Sequence, residues 1–247
     1  MFSKIKKLIR QIHLWLGLLS GLVVFIVAIT GALWVFESEL SNSIYPYRKV
    51  LVEEKGVISI DTIKKIVEPH LSSINAISFL GKDRSIEVRS WTKIDGKLKN
   101  NYVYLNPYTG ALLATRINEA NFFDIVVELH TNLCLGDFGA TIVSYATLIF
   151  FFLLITGIYL WWPRRKKNVK QRFVFKWKAL TNWKRKNFDL HAILGFYASW
   201  IIIFAVITGL AWSFTWMDKL IYSVSTLGKP YKDYTEAKSI SKDTELR

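Results

Sequence analysis

Three apolar runs decide what this chain can fold into. They fall at about Leu14–Phe36, Ala140–Trp162 and Ala192–Trp216, and none of them contains a charged residue. About 20 apolar residues in a helix span a hydrocarbon core roughly 30 Å thick. Each run is long enough for that, so the sequence predicts three transmembrane helices. Lys4, Lys6, Lys7 and Arg10 precede the first run in the manner of a secretory signal. That run is too long for a signal core, however, and no small-residue cleavage site follows it, so it reads as an uncleaved anchor.

Charge then predicts an orientation. Four Lys/Arg and no acids precede Gln11, and eleven Lys/Arg and no acids lie between Pro163 and Asn187. The segment Glu37–Phe138 is balanced, with 12 basic and 13 acidic residues. Short Lys/Arg-rich loops stay on the cytoplasmic side. This places residues 1–36 as a cytoplasmic N-terminus with helix one, 140–162 as helix two, 163–190 as a basic cytoplasmic loop and 191–216 as helix three. Residues 37–120 form an extracytoplasmic domain, 121–139 an interfacial segment and 217–247 an extracytoplasmic tail without a readable fold. The net charge of +14 is thereby mostly topology and attraction to anionic lipid, and no nucleic-acid partner is expected. Trp161, Trp162, Trp212 and Trp216 near helix ends suit interfacial anchoring. Cys134 is the one cysteine, so no internal disulfide forms, and the absence of C-x-x-C-H excludes covalent c-type haem attachment.

The 37–120 segment reads as a small α+β domain. Ile60, Ile63, Ile66 and Val67 recur at helical spacing behind the candidate caps Ser59 and Asp61, predicting a helix over 59–71. Short alternating or apolar runs follow at 74–80, 85–91, 101–105 and 111–115, separated by GKD, KIDGK and NPYTG. These are hairpin signals, the middle one through Asp95-Gly96, and they predict an antiparallel meander of three or four strands. NFFDIVVELHTNL (121–133) is amphipathic, with Phe122, Ile125, Val126 and Leu129 as its apolar stripe.

HLWLGLLSGLVVFIVAITGALW, beginning at His13, and HAILGFYASWIIIFAVITGLAW, beginning at His191, share the frame H-x3-G…ITG-x2-W. Eighteen residues separate His13 from Gly31 and His191 from Gly209, which is five whole helical turns at about 100° per residue. Each histidine therefore shares a face with one glycine, and Gly17 or Gly195 lies about 40° away. Small residues let helices, or a flat macrocycle, approach the backbone closely. Both helices start on the predicted cytoplasmic side, so the two imidazoles lie at one depth, as bis-histidine ligation of a haem iron between two helices requires. The same pattern also fits interfacial polar residues on a duplicated, well-packed helix. His130 is a third candidate ligand, on the opposite side of the membrane, and His70 reads as a surface residue.

RQIHLWLGLLSGLVVFIVAITGALWVFESEL, LNPYTGALL, ELHTNLCLGDFGATIV followed by LLITGIYLWWPRR, and FDLHAILGFYASWIIIFAVITGLAWSF together resemble the PepSY-associated membrane family. That family includes bacterial inner-membrane proteins of iron uptake and siderophore reduction. The resemblance implies a PepSY-like extracytoplasmic domain and bound haem b. His13 and His191 would match an inner ligand pair and His130 an outer ligand, and electrons would pass outward, in some members to a ferric siderophore. Longer members continue into a fourth membrane helix; this chain ends 31 residues after Trp216 and reads as a short form, a truncated product or one part of a larger assembly, as an oligomer or with a partner subunit. Neither G-x-G-x-x-G nor a P-loop is present, so no nucleotide cofactor is expected, and a quinone or separate reductase would supply electrons. The competing expectation is a membrane-tethered PepSY-type binding or regulatory module with no redox role.

Overall fold

A computed structural model of the chain describes residues 2–94, 97–117, 121–163, 169 and 172–231. Three helices are long and apolar enough to cross a membrane, and a four-stranded antiparallel sheet lies between the first and second in sequence. The chain is a multi-pass helical membrane protein with a small α+β domain, and its surroundings are a lipid bilayer. It divides into two compact units, one of residues 1–25 with 137–247 and one of residues 26–136.

The 26–136 unit contains the end of α1 (Phe2–Val35), α2 (Glu37–Ile44), a 3-10 turn at Pro46–Arg48, α3 (Ile60–Val67), β1 (Ala76–Phe79), β2 (Ile86–Ile94), β3 (Lys97–Leu105), β4 (Leu112–Arg116) and α4 (Phe122–Asn132). The strands form a meander in the order β1-β2-β3-β4. Register pairs Ile86 with Leu105 and Val88 with Val103. All four side chains are buried against Ile63 and Val67 of α3. The helical stripe of α3 and one face of the sheet thus make the core that the two periodicities call for. Ser59 caps α3 by accepting from the Thr62 N–H at 3.2 Å. The NPYTG turn closes on Asn106 Oδ1, which accepts from the N–H groups of Tyr108 and Thr109. Gly110 takes φ +72° there, where a Cβ would also meet Ile66 Cδ1 at 2.9 Å. The expected hairpin pair Asp95-Gly96 lies outside the described residues.

The opposite sheet face is aromatic and charged. Tyr104 is buried there, with the Tyr47 ring at 4.7 Å and the Arg48 guanidinium at 5.9 Å from its centroid. Burial, with Glu87 nearby, raises its phenol pKa well above the ordinary tyrosine value. Arg116 at the end of β4 donates to Asp124 Oδ2 at 3.0 Å. Asp124 in turn completes a capping box with Asn121 at the start of α4. The buried face of α4 is Phe123 and Val126, whereas Phe122 and Ile125 are half exposed. Val126 belongs to the stripe read from spacing and Phe123 does not, so the face that packs on protein coincides with that stripe only in part.

In the other unit, α5 (Gly136–Trp161), α6 (Trp183–Ser213) and α7 (Thr215–Ser225) accompany the first 25 residues. Asn182 caps α6 through the Arg185 N–H at 2.9 Å. The helix therefore begins well before the apolar run, in a charged stretch that propagates helix once capped. The polar tail also differs from expectation. Met217, Leu220, Ile221 and Val224 recur at helical spacing in α7, and Met217 is buried with Val206 and Leu210 of α6.

Candidate functional site

α1 and α6 bring His13 and His191 together. Their ring centroids are 6.4 Å apart, with planes at 68°. Both line a cavity of about 700 Å3 whose walls come from α1, α5 and α6, within the roughly 300–1,000 Å3 typical of small-molecule sites. Its body is apolar, with Val24, Phe150, Leu154 and Ile202 among the lining residues. Lys6, Arg10 and Arg172 line it as well. Lys6 Nζ donates to the Leu160 carbonyl at 3.1 Å, and Arg172 Nη1 to the Trp161 carbonyl at 3.1 Å. Trp161 stacks on Phe196 at 3.7 Å, with Phe173 edge-on at 4.9 Å from Trp161.

The glycines of the repeat do not behave alike. Gly17 and Gly195 line the cavity with nothing within 4 Å of an added Cβ. Gly209 faces Thr147 Cγ2 at 3.8 Å. Gly31 lies against His130, where an added Cβ would stand 2.9 Å from Cε1. His130 on α4 is held by the end of α1. Its Nδ1 lies 2.9 Å from the Val27 carbonyl oxygen and 3.3 Å from Thr30 Oγ1, and its ring packs edge-on to Trp34 at 5.9 Å. His70 follows α3 on the exposed surface.

Spacing in the sequence did not single out Thr156, whose Oγ1 is 2.9 Å from His13 Nδ1. A signal existed: Ile155-Thr156-Gly157 repeats the ITG of the other two spans. The basic residues lining the cavity were legible only as topology signals. Among the described residues no three His, Cys, Asp or Glu side chains gather around one point. Two metal–nitrogen bonds of about 2 Å each, plus the imidazole half-widths, put the ring centres of two imidazoles on one metal roughly 6 Å apart, close to the observed spacing. The pair, the glycine-floored apolar cavity and the lining cations fit a flat, apolar macrocycle bearing carboxylates.

No curated protein matches the sequence. The family model described as the PepSY-associated TM region matches residues 10–245, a stretch that includes all four histidines, the sheet and nearly all of the three spans. The chain belongs to the PepSY-associated TM region family.

Proposed function

We propose that this protein is a b-type haem protein of the bacterial inner membrane that moves electrons outward across the bilayer. The N-terminus is cytoplasmic and the tail after α7 extracytoplasmic, since the acid-free basic segments flank the spans on one side. His13 and His191 are the residues that would hold the haem iron. The observation that carries this reading is their 6.4 Å spacing inside a cavity large enough for a macrocycle. Lys6, Arg10 and Arg172 would neutralise the cofactor carboxylates, and Gly17 and Gly195 would leave room for the macrocycle against the backbone. Bound haem supplies one-electron chemistry at a potential set by its axial ligands and burial. A quinone or a separate reductase donates the electron. A ferric siderophore is the proposed final acceptor, and His130 is the candidate ligand of a second haem.

The reading is tested by reduced-minus-oxidised spectra of the purified protein after haem supplementation. A b-type spectrum is expected, and it should be lost when His13→Ala and His191→Ala are combined. A wild-type protein without a Soret band, or a double variant with an unchanged one, overturns it. The sheet domain has its own buried core of α3 against β2 and β3. In that event it supports the other reading, a tethered binding module that works without haem.

A further inference from the structure

The tripeptide Ile-Thr-Gly occurs at 29–31, 155–157 and 207–209. In each copy the threonine hydroxyl donates to a carbonyl about one turn earlier in its own helix. Thr30 donates to Ile26 at 2.7 Å, Thr156 to Phe152 at 2.8 Å and Thr208 to Ala205 at 2.9 Å. A hydroxyl has one hydrogen to give. With that hydrogen used inside the helix, its oxygen meets any further group as an acceptor.

Two of the three copies meet an imidazole. His13 Nδ1 lies 2.9 Å from Thr156 Oγ1. His130 Nδ1 lies 3.3 Å from Thr30 Oγ1 and 2.9 Å from the Val27 carbonyl, which can only accept. At His130 the Val27 carbonyl requires the hydrogen on Nδ1 of the neutral ring, which leaves Nε2 with the lone pair. At His13 the same tautomer follows if the Thr156 hydrogen stays on the Phe152 carbonyl. The glycine of each tripeptide completes the fit. A Cβ on Gly157 would stand 3.4 Å from His13 Cε1, and one on Gly31 2.9 Å from His130 Cε1. In the third copy Gly209 meets only Thr147 Cγ2 within 4 Å, and among the described residues no histidine bonds Thr208.

We infer that Ile-Thr-Gly is a histidine-orienting unit: Thr156 with Gly157, and Thr30 with Gly31, hold His13 and His130 as Nδ1–H tautomers and keep Nε2 free to ligate. Thr156 and Thr30 are positioning residues. A ligand imidazole whose other nitrogen donates to a fixed acceptor is oriented and made more basic. The inference rests on the haem reading only for the destination of Nε2, because the tautomer belongs to the protein before any cofactor binds.

The test uses the full-length, cofactor-free protein in lipid nanodiscs with ring-15N-labelled histidine. Long-range proton–nitrogen spectra report which nitrogen bears the hydrogen. His13 and His130 should both show the Nδ1–H pattern. Thr156→Val, nearly isosteric, should abolish that preference at His13 and leave His130 unchanged, and Thr156→Ser should restore it. Thr208→Val should alter neither ring. Circular dichroism checks that each variant is folded. An Nε2–H pattern at His13 in the wild type, or an unchanged pattern in folded Thr156→Val, overturns the inference. If Thr156→Val switches the tautomer but the wild type takes up no haem, the orienting unit stands and the haem reading falls. Haem uptake with no tautomer preference at His13 gives the reverse.

Discussion

Gly31 and His130 are in direct contact, so close that a methyl group on Gly31 would come within 2.9 Å of His130 Cε1. The imidazole also packs edge-on to Trp34, with ring centroids 5.9 Å apart. Gly31→Ala should displace His130 from the Val27 carbonyl and destabilise the protein by about 1–3 kcal/mol, the usual cost of overpacking. Thermal unfolding in detergent and the 15N signal of His130 check both effects. Gly209→Ala, with 3.8 Å to its neighbour, should be nearly silent.

Gly17→Ala and Gly195→Ala separate fold from cofactor. Neither position has an atom within 4 Å of an added Cβ, and alanine is the better helix former. The cofactor-free protein should melt within about 0.5 kcal/mol of wild type. Each variant should nevertheless retain less haem, because the methyl group projects into the space proposed for the macrocycle. Haem titration of the two variants beside the wild type is the measurement.

The Arg116–Asp124 pair ties β4 to α4. Arg116 is buried and Asp124 also accepts the Asn121 N–H at 2.7 Å. Asp124→Ala leaves a buried guanidinium without this carboxylate and removes half of the capping box. It should cost about 2–4 kcal/mol, more than Asn121→Ala at about 1 kcal/mol. Hydrogen exchange in α4 should rise in the same order.

The sheet domain should weaken in alkali. Tyr104 has a pKa raised by burial and by Glu87, and burial also raises Tyr102 and Tyr47. Unfolded tyrosine ionises near about pH 10. The neutral phenols therefore contribute their full stability below that pH, and the contribution falls as pH rises toward the folded-state values. Unfolding followed by tyrosinate absorbance and circular dichroism should steepen above about pH 10. Tyr104→Phe should make the fall shallower.

Much of this fold could be read from spacing. The three spans follow from uncharged length, and the meander follows from alternation broken by turn residues such as Asn106 and Gly110. Interhelical geometry was less legible. The 18-residue interval puts His13 and Gly31 on one face of α1, but only packing reveals that Gly31 serves His130 while Thr156 serves His13. A hydrogen bond between helices depends on how two faces meet, and a periodicity within one helix carries no record of that. α7 was missed for a different reason. Its apolar stripe spans only Met217, Leu220, Ile221 and Val224, and its burial comes from docking on α6.

Lys6 and Arg172 cover the Leu160 and Trp161 carbonyls, which end α5 beyond the reach of its own N–H ladder. An acidic group arriving there competes with those two oxygens for the same donors. Accepting it costs the helix terminus some of its capping, and an anion, which takes the stronger charge-assisted bonds, competes better than a neutral acceptor. The last turn of α5 and any anion in the cavity thus draw on the same two side chains.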